Sequence, residues 1–164
     1  MTPLIRSLAR RTVCTVLALA PLWMSAAPLE AGAELPPLRL NDQHDKPLLI
    51  GPATRILLFT AEKPASDLVI KVLSAKATGS PEQSGVVYVA DISAMPAAIA
   101  RLFALPKLRE LSFPVGLARD AATVADLPRR AGSVSILHLK GGRVTKLQFV
   151  QTEAQLLQAL ELAP

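Results

Sequence analysis

Cysteine is almost absent from this sequence, since Cys14 is the only thiol among 164 residues. Disulfide exchange and peroxide reduction both require a thiolate, and a disulfide bond requires two cysteines. If Cys14 is removed with an export signal, thiol chemistry is excluded for the rest of the chain. The fold must then be held by core packing alone, because no disulfide restricts the unfolded state.

Concentrated positive charge and a dinucleotide-binding motif are lacking as well. The formal net charge is +5, but residues from Glu34 onward carry 15 Lys and Arg against 12 Asp and Glu, a net charge of +3. Such a small, dispersed excess argues against binding to nucleic acid. The only adjacent glycines are Gly141 and Gly142, and no Gly-x-Gly-x-x-Gly follows a predicted strand, so no flavin or nicotinamide site is indicated.

The first 33 residues have the three parts of a cleavable export signal. Three arginines lie between positions 6 and 11, an apolar run follows from Thr12 to Ala27, and Ala31-Gly32-Ala33 forms an A-x-A site before Glu34. Pro21 interrupts the apolar run, which is shorter than the roughly 20 residues that span a bilayer. We therefore expect cleavage near Ala33 and no stable membrane anchor afterwards.

Removal of residues 1–33 leaves residues 34–164 as a single domain, and we expect its location to be the periplasm of a Gram-negative bacterium. The residues before Cys14 are not the small and aliphatic ones that precede a lipid-modified cysteine, so no lipid anchor is expected. The sequence leaves the oligomeric state open.

Hydrophobic patterning from residue 34 onward predicts an α/β domain with a hairpin at each end. The first predicted elements are a hairpin around the polar tip Asn41–Pro47, a strand Arg55–Thr60 and a helix from Pro64 to Thr78-Gly79. They are followed by a strand Val86–Ala90, a helix Pro96–Phe103 and a strand Val115–Leu117. The last are a hairpin of Val134–Leu139 with Val144–Val150 and a helix capped by Thr152 and Gln155. A connector punctuated by prolines is expected from Leu105 to Pro114, and residues 121–130 predict an irregular polar loop.

This order of elements resembles the thioredoxin superfamily, especially its secreted thiol-peroxidase and cytochrome-maturation branches. The resemblance implies an α/β fold, a thioredoxin-like three-layer α/β/α sandwich with a mixed sheet and an N-terminal β-hairpin. Matching Phe59 to the strand phenylalanine of the family places Pro64 and Asp67 where the family has two cysteines. Ser133 takes the place of the family's cis-proline. The resemblance therefore implies that both parts of the redox site have been replaced.

A more specific resemblance is to small periplasmic proteins of the YtfJ type. It is carried by Ala90-Asp91-Ile92-Ser93-x-Met95-Pro96 and by Leu102-Phe103-x-Leu105-Pro106-Lys107-x-Arg109. This resemblance implies the same fold and compartment but no reaction. Similar short chains also carry a flavin-dehydrogenase name, which would imply an oxidoreductase with FAD or FMN. The residues offer no motif for either, and no cofactor is predicted.

Two functional hypotheses follow. In the first, the protein is a non-redox binding module that takes a protein or peptide in the groove between residues 63–67 and 132–134. Its candidate binding residues are Lys63, Pro64, Ser66, Asp67, Asp91 and Ser133. In the second, the protein is an oxidoreductase or another enzyme with a bound cofactor or metal.

Several of these polar residues have a structural alternative. Ser66 is a nucleophile only if a base is positioned beside it, and a helix cap, a role it would share with Asp67, is favoured. Asp91 ends a buried strand, where ligands often bind in α/β folds, but with Ser93 it also suits a helix cap.

The two histidines and the basic residues also have two interpretations each. His44 beside Asp42 and Asp45 suggests a metal ligand or, as we favour, an Asx turn, whereas His138 suits a hydrogen-bonded strand position. The basic residues form either a shallow basic patch or part of a solvated charged surface; they are Lys107, Arg109, Arg119, Arg129 and Arg130.

Overall fold

A seven-stranded mixed sheet, with strand order β2-β1-β5-β4-β3-β6-β7, organises the domain. The computed structural model describes residues 28–75 and 84–161, so the predicted export segment up to Ala27 and the predicted helix end at Thr78-Gly79 lie outside it. The strands are β1 (Leu38–Asn41), β2 (Pro47–Ile50), β3 (Ile56–Thr60), β4 (Val86–Asp91), β5 (Val115–Ala118), β6 (Val134–Lys140) and β7 (Arg143–Val150).

The central strand β3 is buried along its whole length, as its uninterrupted apolar sequence predicts. It pairs in parallel with β4 and antiparallel with β6, and β4 pairs in parallel with β5. The hairpins β1–β2 and β6–β7 flank this centre. At the second hairpin, Gly141 and Gly142 have φ angles of 59° and 84°, the left-handed conformation that a two-residue turn of this kind requires. The predicted strands are confirmed.

The residues that the structure describes form four α-helices. They are α1 (Lys63–Ala75), α2 (Ala97–Ile99), α3 (Leu105–Arg109) and α4 (Glu153–Glu161). The apolar residues of α1, α3 and α4 form one core cluster with β3 to β7. On the opposite face, Leu35, Val124 and Leu127 pack against β3 and β6. The layer on that face is thus built from the N-terminal segment and a short 3₁₀ turn.

The helical segment from residue 97 to residue 109, here called the connector helix, is longer than predicted. Between α2 and α3 it contains a π-helical turn at Ala100–Ala104, in which the Leu105 N–H bonds to the Ala100 carbonyl five residues back. Pro106 falls in the first turn of α3, where a missing N–H and a fixed φ are tolerated. The predicted end of this helix at Phe103 was therefore wrong, because the helix continues to Arg109.

Residues 121–130 are also more ordered than an irregular polar loop. Asp120 accepts a hydrogen bond from the Ala122 N–H over 3.0 Å and so begins a 3₁₀ helix at Ala121–Val124. Val124 and Leu127 are buried in the second core cluster. The prediction missed these two core residues because the segment around them is mostly polar.

The segment before Leu38 lies along the start of β7. Val144 accepts from the Gly32 N–H over 2.7 Å and donates to the Ala33 carbonyl over 2.9 Å, and the Leu29 N–H bonds to the Asp126 carbonyl over 2.8 Å. Residues that the sequence assigned to the export signal therefore contact the domain. Within residues 28–75 and 84–161, no helix is long and apolar enough to cross a membrane.

Candidate functional site

The carboxyl ends of β3 and β4 meet the start of α1 at one edge of the sheet, the position at which open α/β sheets bind ligands. A cavity of about 620 Å³ lies here, between the first turns of α1 and the connector helix. We call it the larger cavity. Its apolar wall consists of Ala61, Ile70, Ala90, Ile92, Ala94, Met95, Ile99, Phe103, Ala104 and Leu108.

Three large apolar side chains around the larger cavity are open to solvent. Met95 is 37% exposed, Ile99 44% and Phe103 62%. Large apolar side chains exposed singly are ordinary, but a cluster of them around a concavity is typical of a binding site. The sequence contained a signal for two of them, because positions 99 and 103 lie four residues apart in one helix and four residues is about one helical turn. The prediction from sequence missed these three residues.

A buried hydroxyl network lies behind the wall of the larger cavity. The Tyr88 hydroxyl is 3.0 Å from the Thr60 hydroxyl and 2.7 Å from the Ser66 hydroxyl. Burial raises the pKa of Tyr88 to about 12, although the hydrogen bonds of Ser66 and Thr60 oppose this shift. The phenol is therefore a neutral group that fixes the rotamers of the two hydroxyl side chains beside the cavity.

Ser66 is not a helix cap, because α1 already begins at Lys63 and the Ser66 N–H bonds to the Glu62 carbonyl over 3.0 Å. Asp67 does not cap the helix either, since its carboxylate forms an exposed ion pair with Lys63 one turn earlier. The nucleophile interpretation of Ser66 also lacks support, because its hydroxyl contacts Tyr88 and not a histidine.

Asp91 ends β4 and is fixed by two partners. Its carboxylate accepts from the Ser93 N–H over 2.9 Å and from the Arg129 guanidinium over 2.6 Å, and its side chain is only 5% exposed. Burial alone would raise the pKa of this carboxyl, but the hydrogen bonds from Ser93 and the charge of Arg129 outweigh it and lower the pKa of Asp91. Asp91 closes an Asx turn before the helix, and the predicted helix cap was wrong because α2 begins only at Ala97.

Glu62 separates the larger cavity from a second, smaller one. Its carboxylate accepts a hydrogen bond from the Gly132 N–H over 3.1 Å and so bridges the β3–α1 turn to the start of β6. The smaller cavity, of about 300 Å³, lies beyond this bridge and is lined by Phe59, Ala61, Glu62, Arg129, Arg130, Ala131, Ser133 and Ser135. The Arg129 guanidinium lies over the Phe59 ring, 5.3 Å from its centroid.

The predicted binding residues are thus divided among different environments. Lys63, Ser66, Asp67 and Asp91 line the larger cavity. Ser133 lines the smaller one and accepts a hydrogen bond from the Gln151 side chain over 3.1 Å. Pro64 is exposed at the second position of α1 and lines neither. The groove expected between residues 63–67 and 132–134 is crossed by the Glu62–Gly132 bond.

The basic residues do not form one patch. Lys107 lines the larger cavity, and Arg129 and Arg130 line the smaller one. Arg109 and Arg119 lie elsewhere, each near one carboxylate oxygen of Asp45 at the tip of the first hairpin. The structure therefore distributes these charges over three places.

The two histidines have structural hydrogen bonds. At the first hairpin tip, Asp42 accepts from the N–H groups of His44 and Lys46 over 2.7 Å and 2.9 Å, which confirms the Asx turn. His138 Nε2 is 2.9 Å from the Gln148 side-chain oxygen on the neighbouring strand. Among the described residues, no three His, Cys, Asp or Glu side chains converge as metal ligands would.

No protein-family model and no curated protein sequence matches the chain. Solved structures are similar at low identity. A peroxiredoxin-like protein from Aquifex aeolicus is 14% identical with a TM-score of 0.55, covering 85% of this chain and 91% of its own. A peroxidoxin from Mycobacterium tuberculosis is 13% identical with a TM-score of 0.56, covering 81% and 95%. A thioredoxin-like protein from Porphyromonas gingivalis is 18% identical with a TM-score of 0.52, covering 82% and 94%.

These similarities concern the fold alone. Together with the mixed sheet and the helix that follows its central strand, they give the chain a thioredoxin-like α/β fold, which confirms the fold class predicted from the sequence.

Proposed function

We propose that this protein is exported to the periplasm and acts there as a thioredoxin-like binding module without redox activity. In this proposal the larger cavity holds an apolar segment of a protein or peptide partner. One observation carries the proposal. A cavity of about 620 Å³ lies at the carboxyl ends of β3 and β4, and the exposed side chains of Met95, Ile99 and Phe103 surround it. Burial of such a surface against a partner lowers the free energy of the complex.

The polar groups around this cavity support binding over catalysis. Asp67 is paired with Lys63, Asp91 is paired with Arg129, and the Ser66 hydroxyl bonds to a phenol that stays neutral at ordinary pH. A covalent or acid–base mechanism needs a nucleophile with a positioned base, or a group that titrates near the working pH. These three lining residues are instead engaged in structural contacts.

The absence of thiol chemistry and the export of the protein belong to the same proposal. Its support is the sequence pattern of residues 1–33 and the position of the only cysteine within that pattern. Kinship with the periplasmic proteins of the YtfJ type is likewise proposed on the motifs around Asp91 and Leu105. Cell fractionation, with the intact mass of the recovered protein, tests both export and loss of Cys14.

The binding experiment uses a fluorescently labelled neutral peptide with a Leu-Phe-Leu core flanked by Ser and Gly. We expect the Phe103→Ser variant to bind it about tenfold more weakly, because a Phe side chain contributes about 1.5–3 kcal/mol when it is removed from water. Leu102→Ser is the matched control. Leu102 is 68% exposed on the same helix but does not line the cavity, so its variant should bind like the original protein.

An equal loss of affinity in the two variants would show that the cavity is not the binding site. The competing hypothesis, an enzyme with a bound cofactor, has its own test in the absorbance spectrum, native mass and metal content of the purified protein. A copurified flavin or a stoichiometric metal would favour that hypothesis over a binding module.

A further inference from the structure

The connector helix separates the larger cavity from a third one, of about 570 Å³, on its other side. Ile99, Phe103 and Leu108 face the larger cavity, whereas Ala100, Arg101, Leu105 and Arg109 face the third. Ile92 and Met95 line both. A partner segment that places an apolar side chain beside Met95 therefore lies next to the third cavity as well.

Three arginines surround the third cavity. They are Arg101 and Arg109 on the connector helix and Arg119 just after β5. Among the described residues that line it, only Asp45 has a carboxylate, so these residues together carry a net charge of +2. The lining of the larger cavity differs, because Glu62, Asp67 and Asp91 there outnumber Lys63 and Lys107. Positive potential is thus concentrated on one side of the connector helix.

Asp45 shows that a carboxylate fits among these arginines. One of its oxygens is 2.7 Å from an Arg119 nitrogen, and the other is 3.9 Å from an Arg109 nitrogen. Hydrogen bonding and charge from Arg119, with smaller effects of Arg109 and Arg101, lower the pKa of Asp45. Arg109 also donates to the Gln43 carbonyl over 2.9 Å, which fixes its guanidinium at the hairpin tip.

Arg101 has the most unused capacity in this group. It is exposed, and no Asp or Glu carboxylate among the described residues lies within 4.0 Å of its guanidinium. A guanidinium presents five donors in a plane and binds carboxylates in two-pronged geometry. The cluster can therefore accept a further carboxylate without displacing Asp45.

We infer that the partner segment combines an apolar anchor with acidic residues beside it. The apolar side chain enters the larger cavity, and the neighbouring Asp or Glu side chains cross the connector helix to meet Arg101 and Arg119. This inference rests on the proposed binding function and specifies its ligand as an acidic, amphipathic peptide segment. Charge complementarity then provides selectivity and faster association, while the apolar contact provides most of the affinity.

Three labelled peptides with the same Leu-Phe-Leu core test this inference, one flanked by Ser, one by Glu and one by Lys. We expect the Glu-flanked peptide to bind about fivefold more tightly than the neutral one, since two exposed ion pairs contribute about 0.2–1 kcal/mol each. The Lys-flanked peptide should bind most weakly. Raising the ionic strength from about 0.01 M to 0.15 M should reduce these differences, because the Debye length falls from about 30 Å to about 8 Å.

The variant Arg101→Gln locates the effect. It should remove about half of the advantage of the Glu-flanked peptide and leave the neutral peptide unaffected, whereas Arg39→Gln, an exposed arginine on β1, should change neither. If the neutral peptide binds and the Glu-flanked peptide binds no better, the inference is wrong and the binding function stands. If none of the three peptides binds, the proposed binding function itself fails.

Discussion

The side-chain amide of Gln43 donates a hydrogen bond to the Phe113 carbonyl over 2.9 Å, across 70 positions of the sequence. The same amide accepts from the Val115 N–H over 2.8 Å. Because β1 pairs with β5 only at Asn41 and Leu117, this amide continues the pairing beyond the end of the strand. Gln43 thus joins the first hairpin to β5 with two buried bonds.

We predict that Gln43→Ala lowers the free energy of unfolding by about 1–3 kcal/mol, because it leaves a buried N–H and a buried carbonyl without partners. Urea denaturation measures the change. His44→Ala is the control, since the His44 side chain is exposed at the same hairpin tip and only its backbone takes part in the Asx turn. Equal stability of Gln43→Ala and the original protein would contradict this role.

The buried Tyr88 phenol predicts a loss of stability at alkaline pH. Its pKa is about 12 in the folded protein and 10.0 in the unfolded chain, so between these values the folded state binds more protons. Stability should therefore be complete below about pH 10 and fall by up to about 2–3 kcal/mol as the pH rises toward 12.

Tyr88 is the only tyrosine, so the ultraviolet absorbance of the phenolate reports its titration directly. The variant Tyr88→Phe lacks this group and should lose less stability over the same pH range. A phenol that titrates near 10 in the folded protein would contradict the burial of its hydroxyl.

The contacts of residues 28–33 predict that these residues stabilise the domain. A chain that starts at Glu34 lacks the bonds of Gly32 and Ala33 to Val144 and that of Leu29 to Asp126. At about 0.5–1.5 kcal/mol for each bond, the chain starting at Pro28 should be more stable by about 2 kcal/mol. Thermal denaturation of the two chains provides the comparison. Equal midpoints would contradict a stabilising role of residues 28–33.

The double variant Pro64→Cys with Asp67→Cys tests the assignment of the replaced redox site. Both residues lie in the first turns of α1, where Pro64 is exposed and Asp67 has only an exposed ion pair with Lys63 to lose. Exposed ion pairs of this kind contribute about 0.3–0.5 kcal/mol, so the fold should persist. Thiols at a helix start have lowered pKa values, and we expect the pair to form a reducible disulfide.

Thiol labelling before and after reduction measures the pairing. In the single variant Pro64→Cys the thiol has no partner in the same domain and should stay reactive under the same conditions. A double variant that folds with two free thiols after oxidation would show that positions 64 and 67 are not those of the redox pair.

The fold could be predicted because its signals are local. The apolar run of β3, the periodicity of α1 and the paired Gly141 and Gly142 each lie within a few residues of one another. The connector helix was cut short in the prediction because Pro106 usually ends a helix, whereas the preceding π turn accommodates it here.

The site was harder to predict because its contacts join distant residues. Ser66 is hydrogen-bonded to Tyr88, 22 positions away in the sequence, and Glu62 is hydrogen-bonded to Gly132, 70 positions away. Neither pairing leaves a pattern in one sequence. The prediction therefore placed the groove on the side of Ser133, whereas the larger cavity lies on the side of Met95 and Phe103.

The position of Tyr88 also makes the domain its own fluorescent probe. The only tryptophan, Trp23, lies in the segment assigned to the export signal, so once that segment is removed the emission of the protein comes from a single tyrosine. Its hydroxyl contacts Thr60 and Ser66, and both line the larger cavity. A ligand without aromatic groups that disturbs these hydroxyls should therefore change the emission intensity, and its occupancy can be followed without any label.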